Sequence, residues 1–474
     1  MHIHFAGPSN ASKHPRLIKV SALLSAGFAL LPLAAHAQVA DPTPQPEPTP
    51  ITAGQTAPLP ATQKWAAYGQ LTTIWMMQPA FHAPYTGPQS LSPAANGRET
   101  VQATVFLGFR PWRGGELWFN PQMDQGYGLD DTTGLAGYIN AESAKVGETY
   151  PYYQMPQAFF RQTIDLGGQM EAVAPTLNQL GGTETADRLV FTIGKFAVTD
   201  IFDTNKYAND PTTDFLNWSI VNMGAFDYAA NAWGYTYGVA AQWYLGPWTF
   251  SVGAFDLSQV PNGDALDMRF GQQMQYVGQI TRHYSLWGQP GAVRVLYFLS
   301  RGMLGSYGDA LALADETDTT PNTADVREYR SKGGFGINIQ QQIIPGLGFF
   351  ARASANNGGV EADEYTDISR SVSAGFSVNG KFWDRPKDTF GIAVAANTIS
   401  KEAEEYFARG GLGILIGDGQ LEDPGPEQIL ETYYSIPVLH YANLSADYQF
   451  INNPAYNEQR GPVSVFQLRL NIQI

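Results

Sequence analysis

Residues 463–474 read VSVFQLRLNIQI, and this C-terminal stretch decides the fold. Small or apolar side chains occupy every second position from Ser464 to Ile474, and most residues between them are polar. A period of two is the period of a β-strand whose two faces meet different surroundings. A soluble sandwich strand also alternates, but it turns its apolar face to a core and seldom ends a chain in this way. The stretch therefore predicts the closing strand of an outer-membrane β-barrel.

The N-terminus has the features of a secretory leader. Three basic residues precede an apolar run at 20–33, and residues 35–37 read AHA, a small-x-small cleavage pattern. The run is too short for a membrane-anchoring helix. We predict a signal peptide over residues 1–37 and therefore an exported protein.

The composition fits an exported barrel and excludes several other classes of protein. The chain has 43 Asp and Glu against 28 Lys and Arg, a net charge of −15, which argues against nucleic acid as a partner. The absence of cysteine removes disulfides, thiolate catalysis and Cys-ligated metals. The mean hydropathy of −0.21 resembles that of a soluble protein, but barrel strands have such values because alternate residues face water.

Two regions follow the leader. Residues 38–63 are rich in Pro and Thr and cannot form a strand ladder, so we predict a flexible periplasmic segment. Residues 64–474 are predicted to form the barrel. Alternating runs, separated by Gly, Pro, Asn and Asp, predict sixteen strands, with fourteen or eighteen as alternatives. They are 65–77, 99–110, 116–123, 157–166, 188–197, 232–244, 247–256, 270–284, 291–301, 331–344, 347–356, 369–383, 388–399, 428–436, 438–451 and 461–474.

The connections between these strands alternate in length. Tight turns, such as those at 111–115 and 345–346, alternate with the long segments 124–156, 200–231, 302–330 and 400–427. Short periplasmic turns and long extracellular loops are the arrangement of an outer-membrane barrel. A β-propeller would instead repeat a blade motif at a fixed period.

The alternation also assigns faces. In 99–110 we expect Val105 and Leu107 to face lipid and Thr104 to face the lumen; in 369–383 we expect Val372 outward and Lys381 inward. The lumen is then polar, which predicts a water-filled channel.

Three stretches of the chain resemble the carbohydrate-selective porins of Gram-negative outer membranes. They are GKFAVTDIFDTNKYANDPTTDFLNWS at 194–219, LWGQPGAVRVLYFLSRGMLGSYGDAL at 286–311, and YYSIPVLHYANLSADYQFINNPAYNEQRGPVSVFQLRLNIQI at 433–474. The resemblance implies a sixteen-stranded porin that admits mono- and oligosaccharides by diffusion. One departure is the last residue, because outer-membrane barrels commonly end in Phe and this chain ends in Ile474.

This reading also specifies partners. Small neutral sugars would pass, and the outer wall would contact the lipid bilayer and the lipopolysaccharide of the outer membrane. The barrel-assembly machinery would insert the chain, as a monomer or a homotrimer. No cofactor and no metal is expected.

Arginine suits sugar selection, because its guanidinium is a rigid fork of donors that also stacks on rings. Arg161 lies on the same strand face as Thr163 and Asp165. Arg294 is next to Val295, which is expected to face outward, so it faces the opposite side. Both arginines are therefore predicted to face the lumen. An ordinary ion-pair network of the wall is the alternative role for either one.

Segment 200–231 is the predicted constriction loop, and the resemblance places the family's most characteristic block there. Carboxylates and amides in it, interleaved with aromatic side chains, could line a constriction and hydrogen-bond sugar hydroxyls, whereas turn capping in a solvated loop is the alternative. Lys195 shares the parity of outward residues, so either a bulge turns it inward or it snorkels at the interface. The predicted constriction residues are Lys195, Asp200, Asp203, Asn205, Lys206, Tyr207 and Trp218.

The acidic clusters at 130–131 and 418–423 lack the spacing of a calcium loop, so we interpret them as surface loop charge. No catalytic motif selects a site around His283 or His440, which are predicted to lie in strands. Three alternatives remain open. They are a general or organic-acid porin of the same barrel, an outer-membrane enzyme or adhesin, and, least favoured, a soluble secreted lectin.

Overall fold

The computed structural model describes residues 49–50, 61–142 and 147–474. The predicted signal peptide and most of the predicted Pro-rich segment lie outside these residues. Within them, sixteen antiparallel strands, β1–β16, close into a barrel, because the last strand pairs with the first. Closure gives every wall strand two neighbours and leaves no open edge.

All sixteen predicted strands are confirmed, with shifted boundaries. In chain order β1–β16 span Trp65–Gln78, Asn96–Phe109, Gly115–Gly126, Glu148–Val173, Gly182–Phe196, Thr236–Leu245, Trp248–Asp256, Met274–Leu286, Gln289–Leu304, Glu328–Ile344, Leu347–Asn356, Arg370–Asn379, Thr389–Thr398, Glu427–Leu439, Ala442–Asn452 and Val463–Gln473. A two-residue segment, Thr49–Pro50, pairs with the last residues of β4 outside the ring.

The outer face of the wall is apolar, as the alternation predicts. On β16, Phe466 and Leu468 are exposed, while Gln467, Arg469 and Asn471 between and beside them are buried inside. Val105 and Leu107 on β2, and Val372 on β12, are also exposed, and Thr104 is buried. Lipid would cover the exposed apolar side chains, so the exposed band is the surface expected of a membrane barrel.

Aromatic side chains border this band at both ends. One girdle follows the short turns and the other lies near the long loops, where such rings bridge lipid and water. Exposed members at the turn end are Trp65, Trp112, Trp243, Trp248, Trp287 and Trp383, and those at the loop end are Trp75, Tyr153, Tyr237, Tyr276 and Tyr329.

In the part of the chain that the structure describes, three α-helices lie in the loop-end connections: α1 at Trp218–Val221, α2 at Tyr307–Thr317 and α3 at Lys401–Ala408. Ser306 and Ser400 cap α2 and α3 through their hydroxyls. The two helices pack together, with the rings of Tyr307 and Tyr406 4.9 Å apart. Among the described residues, no helix has both the length and the apolar character needed to cross a membrane.

Three details of the sequence reading were wrong. Strand β12 ends at Asn379, so Lys381 lies exposed in a turn and not in the lumen. His440 lies in the turn between β14 and β15. Asp418 is not free surface charge, because its buried carboxylate accepts hydrogen bonds from Asn457 and Tyr85 and joins three loops beside the β16–β1 seam.

Candidate functional site

The lumen is narrowed by residues 197–235, which connect β5 to β6 and are called the inward loop here. Asp203, near its start, pairs with Arg352 of β11 at 3.0 Å, and each side chain is 1% exposed. Asn338 of β10 donates to the same carboxylate at 2.6 Å and receives a hydrogen bond from Asn205 at 2.7 Å. Since Arg352 and Asn338 point into the barrel, these contacts hold the loop inside it.

The far half of the inward loop reaches the opposite wall. Glu431 of β14 accepts hydrogen bonds from the backbone N–H groups of Leu216 and Asn217, at 2.5 and 3.0 Å. Arg469 of β16 donates to the carbonyls of Thr213 and Asp214, at 3.0 and 2.8 Å. In a ring of sixteen, β14 lies eight strands from β6, so the loop crosses the lumen from side to side.

Trp218 lies within the packed interior and not beside water. It is 2% exposed and stacks between Tyr138 and Tyr365, with ring centroids 5.1 and 4.3 Å away. Tyr138 belongs to the β3–β4 connection, which also folds inward: the N–H groups of Ala136 and Gly137 donate to Glu427 of β14.

The inward loop also has a face that is open to lumen water. Asp200 and Lys206 are exposed on it and Tyr207 is half-buried. The ammonium of Lys206 lies 5.9 Å from the centroid of the Tyr207 ring. Tyr207 packs on the backbone of Gly348, where a Cβ would lie 2.1 Å from the ring, so only glycine fits there.

Asp200 connects this loop to the wall. Its carboxylate accepts hydrogen bonds from the Gln157 side chain at 2.7 Å and from the Ala197 N–H at 3.1 Å. Although the Asp200 side chain borders the lumen, desolvation by the protein around it raises its pKa to about 6, against the opposing effects of these hydrogen bonds and of the Arg161 charge. Its charge therefore changes within the physiological pH range.

Arg161 of β4 faces the lumen, as predicted. It donates to the Asn178 carbonyl at 2.8 Å and lies 3.6 Å from the Glu116 carboxylate. Glu116 also pairs with Arg110 at 2.7 Å. The Asn178 side chain in turn donates to Gln157 at 2.9 Å, so a chain of hydrogen bonds connects Asp200 to Arg161.

Other predicted residues have different positions. Arg294 is inside but 6% exposed, and it donates to Gln340, whose side chain also accepts from the Lys206 N–H. Lys195 lies beside the exposed Ile193, pairs with Tyr237 without a register shift, and donates to the Met155 carbonyl. Of the two possibilities for Lys195, the snorkelling position on the outer wall is the one observed.

The structure therefore divides the predicted set in three, and Lys195 alone lies on the outer wall. Asp200, Lys206, Tyr207 and Arg161 border lumen water. Asp203, Asn205, Trp218 and Arg294 are buried, and the first two hold the inward loop to the wall through Arg352 and Asn338.

Several functional residues were missed by the sequence reading. Their positions in the strand alternation predict that they face the lumen, but this alternation does not indicate which wall residue a loop will contact. These residues are Gln157, Glu116, Arg352, Glu431 and Arg469. Within the described ranges 61–142 and 147–474, no three His, Cys, Asp or Glu side chains lie together in a way that could hold a metal ion.

Comparisons with known proteins give structural matches and a family match. The barrel matches the high-pH structure of Pseudomonas putida OprB with a TM-score of 0.66 and 15% identity, covering 87% of this chain and 94% of that one. It matches the outer membrane channel DcaP of Acinetobacter baumannii with a TM-score of 0.46 and 11% identity, over 88% and 98% of the two chains. No curated protein sequence matches this chain.

The first of these matches shows the fold alone, whereas the family match extends over the sequence. The model of the carbohydrate-selective porin, OprB family, matches residues 89–474, which include all but the first strand of the barrel. The chain therefore belongs to the carbohydrate-selective porin family of the outer membrane, as its C-terminal sequence and closed barrel indicated.

Proposed function

We propose that the barrel passes small neutral sugars by passive diffusion, and that Asp200, Arg161, Lys206 and Tyr207 line the narrow part of the path. A carboxylate, a guanidinium, an ammonium and a phenol ring together offer acceptors, donors and a flat apolar face. A sugar presents hydroxyls around apolar C–H faces, so it complements such a mixed set.

One observation carries this proposal: the arginines on this side of the lumen are paired with glutamates. Arg110 and Arg161 share Glu116, and Arg188 contacts Glu171 and Glu184, both at 3.1 Å. An organic-acid channel needs cationic charge in excess, since an anion must be attracted through the narrow region. Balanced charge with many hydrogen-bonding groups favours a neutral, hydroxyl-rich solute.

Transport of this kind uses no chemical step, so we also propose that the protein is not an enzyme and needs no cofactor. Contact with lipopolysaccharide and insertion by the barrel-assembly machinery follow from the outer-membrane setting. Cross-linking of the protein in outer membranes, followed by gel electrophoresis, would decide between a monomer and a homotrimer.

The proposed path is tested by conductance in planar bilayers, with glucose, maltose and succinate titrated separately against the open current. We expect block by the two sugars and weak or no block by succinate. Arg161→Ala should weaken sugar block about tenfold to a hundredfold, since hydrogen bonds to charged groups are worth roughly 1.5–3 kcal/mol.

Arg113→Ala is the matched control, because Arg113 is 84% exposed in a turn and pairs with Asp165. Its sugar block should equal that of the unmodified channel. Block by succinate alone would instead indicate an organic-acid porin. An absence of channels would favour an outer-membrane enzyme or adhesin.

A further inference from the structure

The β4–β5 connection at the turn end is built differently from a simple wall turn. Strand β4 changes register against β5 between Asp165 and Gly167 and again between Gly167 and Met170. Gly167 and Gly168 have φ values of 128° and 84°, which side-chain-bearing residues rarely adopt. These glycines permit a sharp bend, so residues 169–187 need not continue along the wall.

The end of this hairpin lies inside the barrel. Thr176 and Gln179 exchange backbone hydrogen bonds of 3.1 Å around a tight turn, and Asn178 occupies its left-handed position with φ of 60°. Leu180 is completely buried in the same interior cluster as Trp118 and Phe159.

Inward-facing wall residues hold the hairpin there. Arg110 donates to the carbonyls of Leu180 and Gly181, at 3.2 and 3.1 Å, and Arg161 donates to that of Asn178. The hairpin residues 174–181 therefore return into the lumen from the turn end.

The Asn178 side chain reaches deep into the barrel. It accepts a hydrogen bond from Asn120 at 2.8 Å and donates one to Gln157 at 2.9 Å. Asn120 lies five residues beyond the start of β3, which corresponds to roughly 17 Å along the strand. The tip thus reaches the middle of the wall.

At this level the hairpin meets the inward loop. Gln157 accepts from Asn178 and Asn120 through its amide oxygen and donates to Asp200 through its amide nitrogen. One wall residue therefore bridges an element that enters from the turn end and an element that enters from the loop end. Both elements therefore lie inside the barrel at the height of Gln157.

We propose that residues 174–181 are a second constriction element and that Asn178 is a specificity-determining residue at its tip. Asn178 is half-buried, and its neutral amide can both donate to and accept from a hydroxyl group. The size limit of the channel would then depend on this tip as well as on the inward loop. The proposed contact of Asn178 with sugars rests on the proposed function, whereas the proposed narrowing of the channel by residues 174–181 does not.

The test compares Asn178→Gly with the unmodified channel. Glycine accepts the left-handed backbone, so the turn is kept and only the amide is removed. Gln179→Ala is the matched control, because the Gln179 side chain bonds back to the Ala174 carbonyl at 2.8 Å within the hairpin. A third variant, with residues 176–179 replaced by Gly-Gly, withdraws the tip.

Single-channel conductance in KCl, exclusion of polyethylene glycols of graded size, and swelling of liposomes in glucose or maltotriose are measured for each variant. Asn178→Gly should raise the conductance and the polymer size limit. It should also increase the rate for maltotriose relative to glucose about twofold or more, because hindrance in a pore depends on its diameter. Gln179→Ala should match the unmodified channel.

Asn178→Asp keeps the shape of the side chain and adds a negative charge, so it should raise the cation-to-anion permeability ratio. Unchanged conductance, polymer exclusion and ion selectivity in Asn178→Gly and Asn178→Asp would overturn the proposal and leave the hairpin as a brace of the wall. If ions pass and no sugar does, the proposed function fails, but conductance and polymer exclusion still decide whether the hairpin narrows the channel.

Discussion

Arg352 on the wall and Asp203 on the inward loop form an ion pair in which both side chains are 1% exposed. The guanidinium donates further to the carbonyls of Asp203, Ile220 and Ala208, so it fixes three points of the loop at once. Burying the two charges costs desolvation free energy that offsets much of their attraction, so the pair adds little net stability to the fold. Its main effect is to fix the position of the inward loop. Removal of either residue would leave the charge of the other buried and unpaired, which is strongly destabilising.

Asp203→Ala should destabilise the protein by about 3–5 kcal/mol, because the charge of Arg352 would remain buried without its partner. The released loop should also increase the noise of the open current. Urea unfolding in detergent and single-channel recording measure the two effects.

Lys401→Ala is the control for this change, since the Lys401 side chain is 86% exposed and pairs with Glu404 on the outside of α3. Loss of such a pair should cost no more than about 1 kcal/mol. Equal unfolding free energies for the two variants would contradict the anchoring role of Asp203.

Ion selectivity should change with pH around Asp200. Its pKa is raised to about 6 by enclosure, so the carboxyl is ionised above that pH and neutral below it. The cation-to-anion permeability ratio should consequently fall as the pH decreases from 7.5 to 5. Reversal potentials in a KCl gradient measure this ratio.

Asp200→Asn should remove the part of this change that has its midpoint near pH 6. Asp214 could add a second component, because burial raises its pKa to about 7, but it lies 9% exposed behind the open face of the loop. An unaltered titration in Asp200→Asn would show that another group controls the selectivity.

The fold was predictable because its signal is local. A strand between lipid and water must alternate, and in β16 the alternation from Ser464 to Ile474 is visible in one short run. The long end of β4 was not predicted, since Gly167 and Gly168 resemble a turn that ends a strand. In the structure they bend the hairpin, which then pairs again as far as Val173 and Gly182.

For the candidate site, the sequence indicates a segment but not which of its residues are buried. Segment 200–231 contains the right kinds of residue, but its buried face is selected by Asn338, Arg352 and Arg469, which lie more than 100 positions away in the chain. A single sequence does not reveal such pairings, so Asp203 and Asp200 could not be distinguished. Lys195 was different, because its parity with Ile193 already indicated the outer face.

The two lysines that flank the start of the inward loop should differ in function. Lys206→Glu reverses a charge on the open face of the loop, so it should raise the cation-to-anion permeability ratio and alter sugar block. Lys195→Glu changes a side chain on the outer wall and should leave both properties of inserted channels unchanged. Current recordings with and without maltose test the pair, and equal effects of both would contradict the assigned faces.

The outer face of the closing strand gives the last prediction. Leu468 is 41% exposed on β16, where it pairs with Ala446 on one side and Trp75 on the other. An arginine on the lipid face costs about 2–4 kcal/mol at the bilayer midplane and about 0–1 kcal/mol near an interface, and Leu468 lies towards the loop-end girdle. Leu468→Arg should therefore reduce the amount of folded barrel in outer membranes, measured by heat-modifiable migration in gels.

Leu412→Arg is the matched control, because Leu412 is 42% exposed but lies in the loop-end connection after α3, where water solvates the new charge. Normal assembly of Leu412→Arg beside poor assembly of Leu468→Arg would identify lipid contact as the cause, whereas equal assembly of both would argue that this face of β16 does not meet lipid.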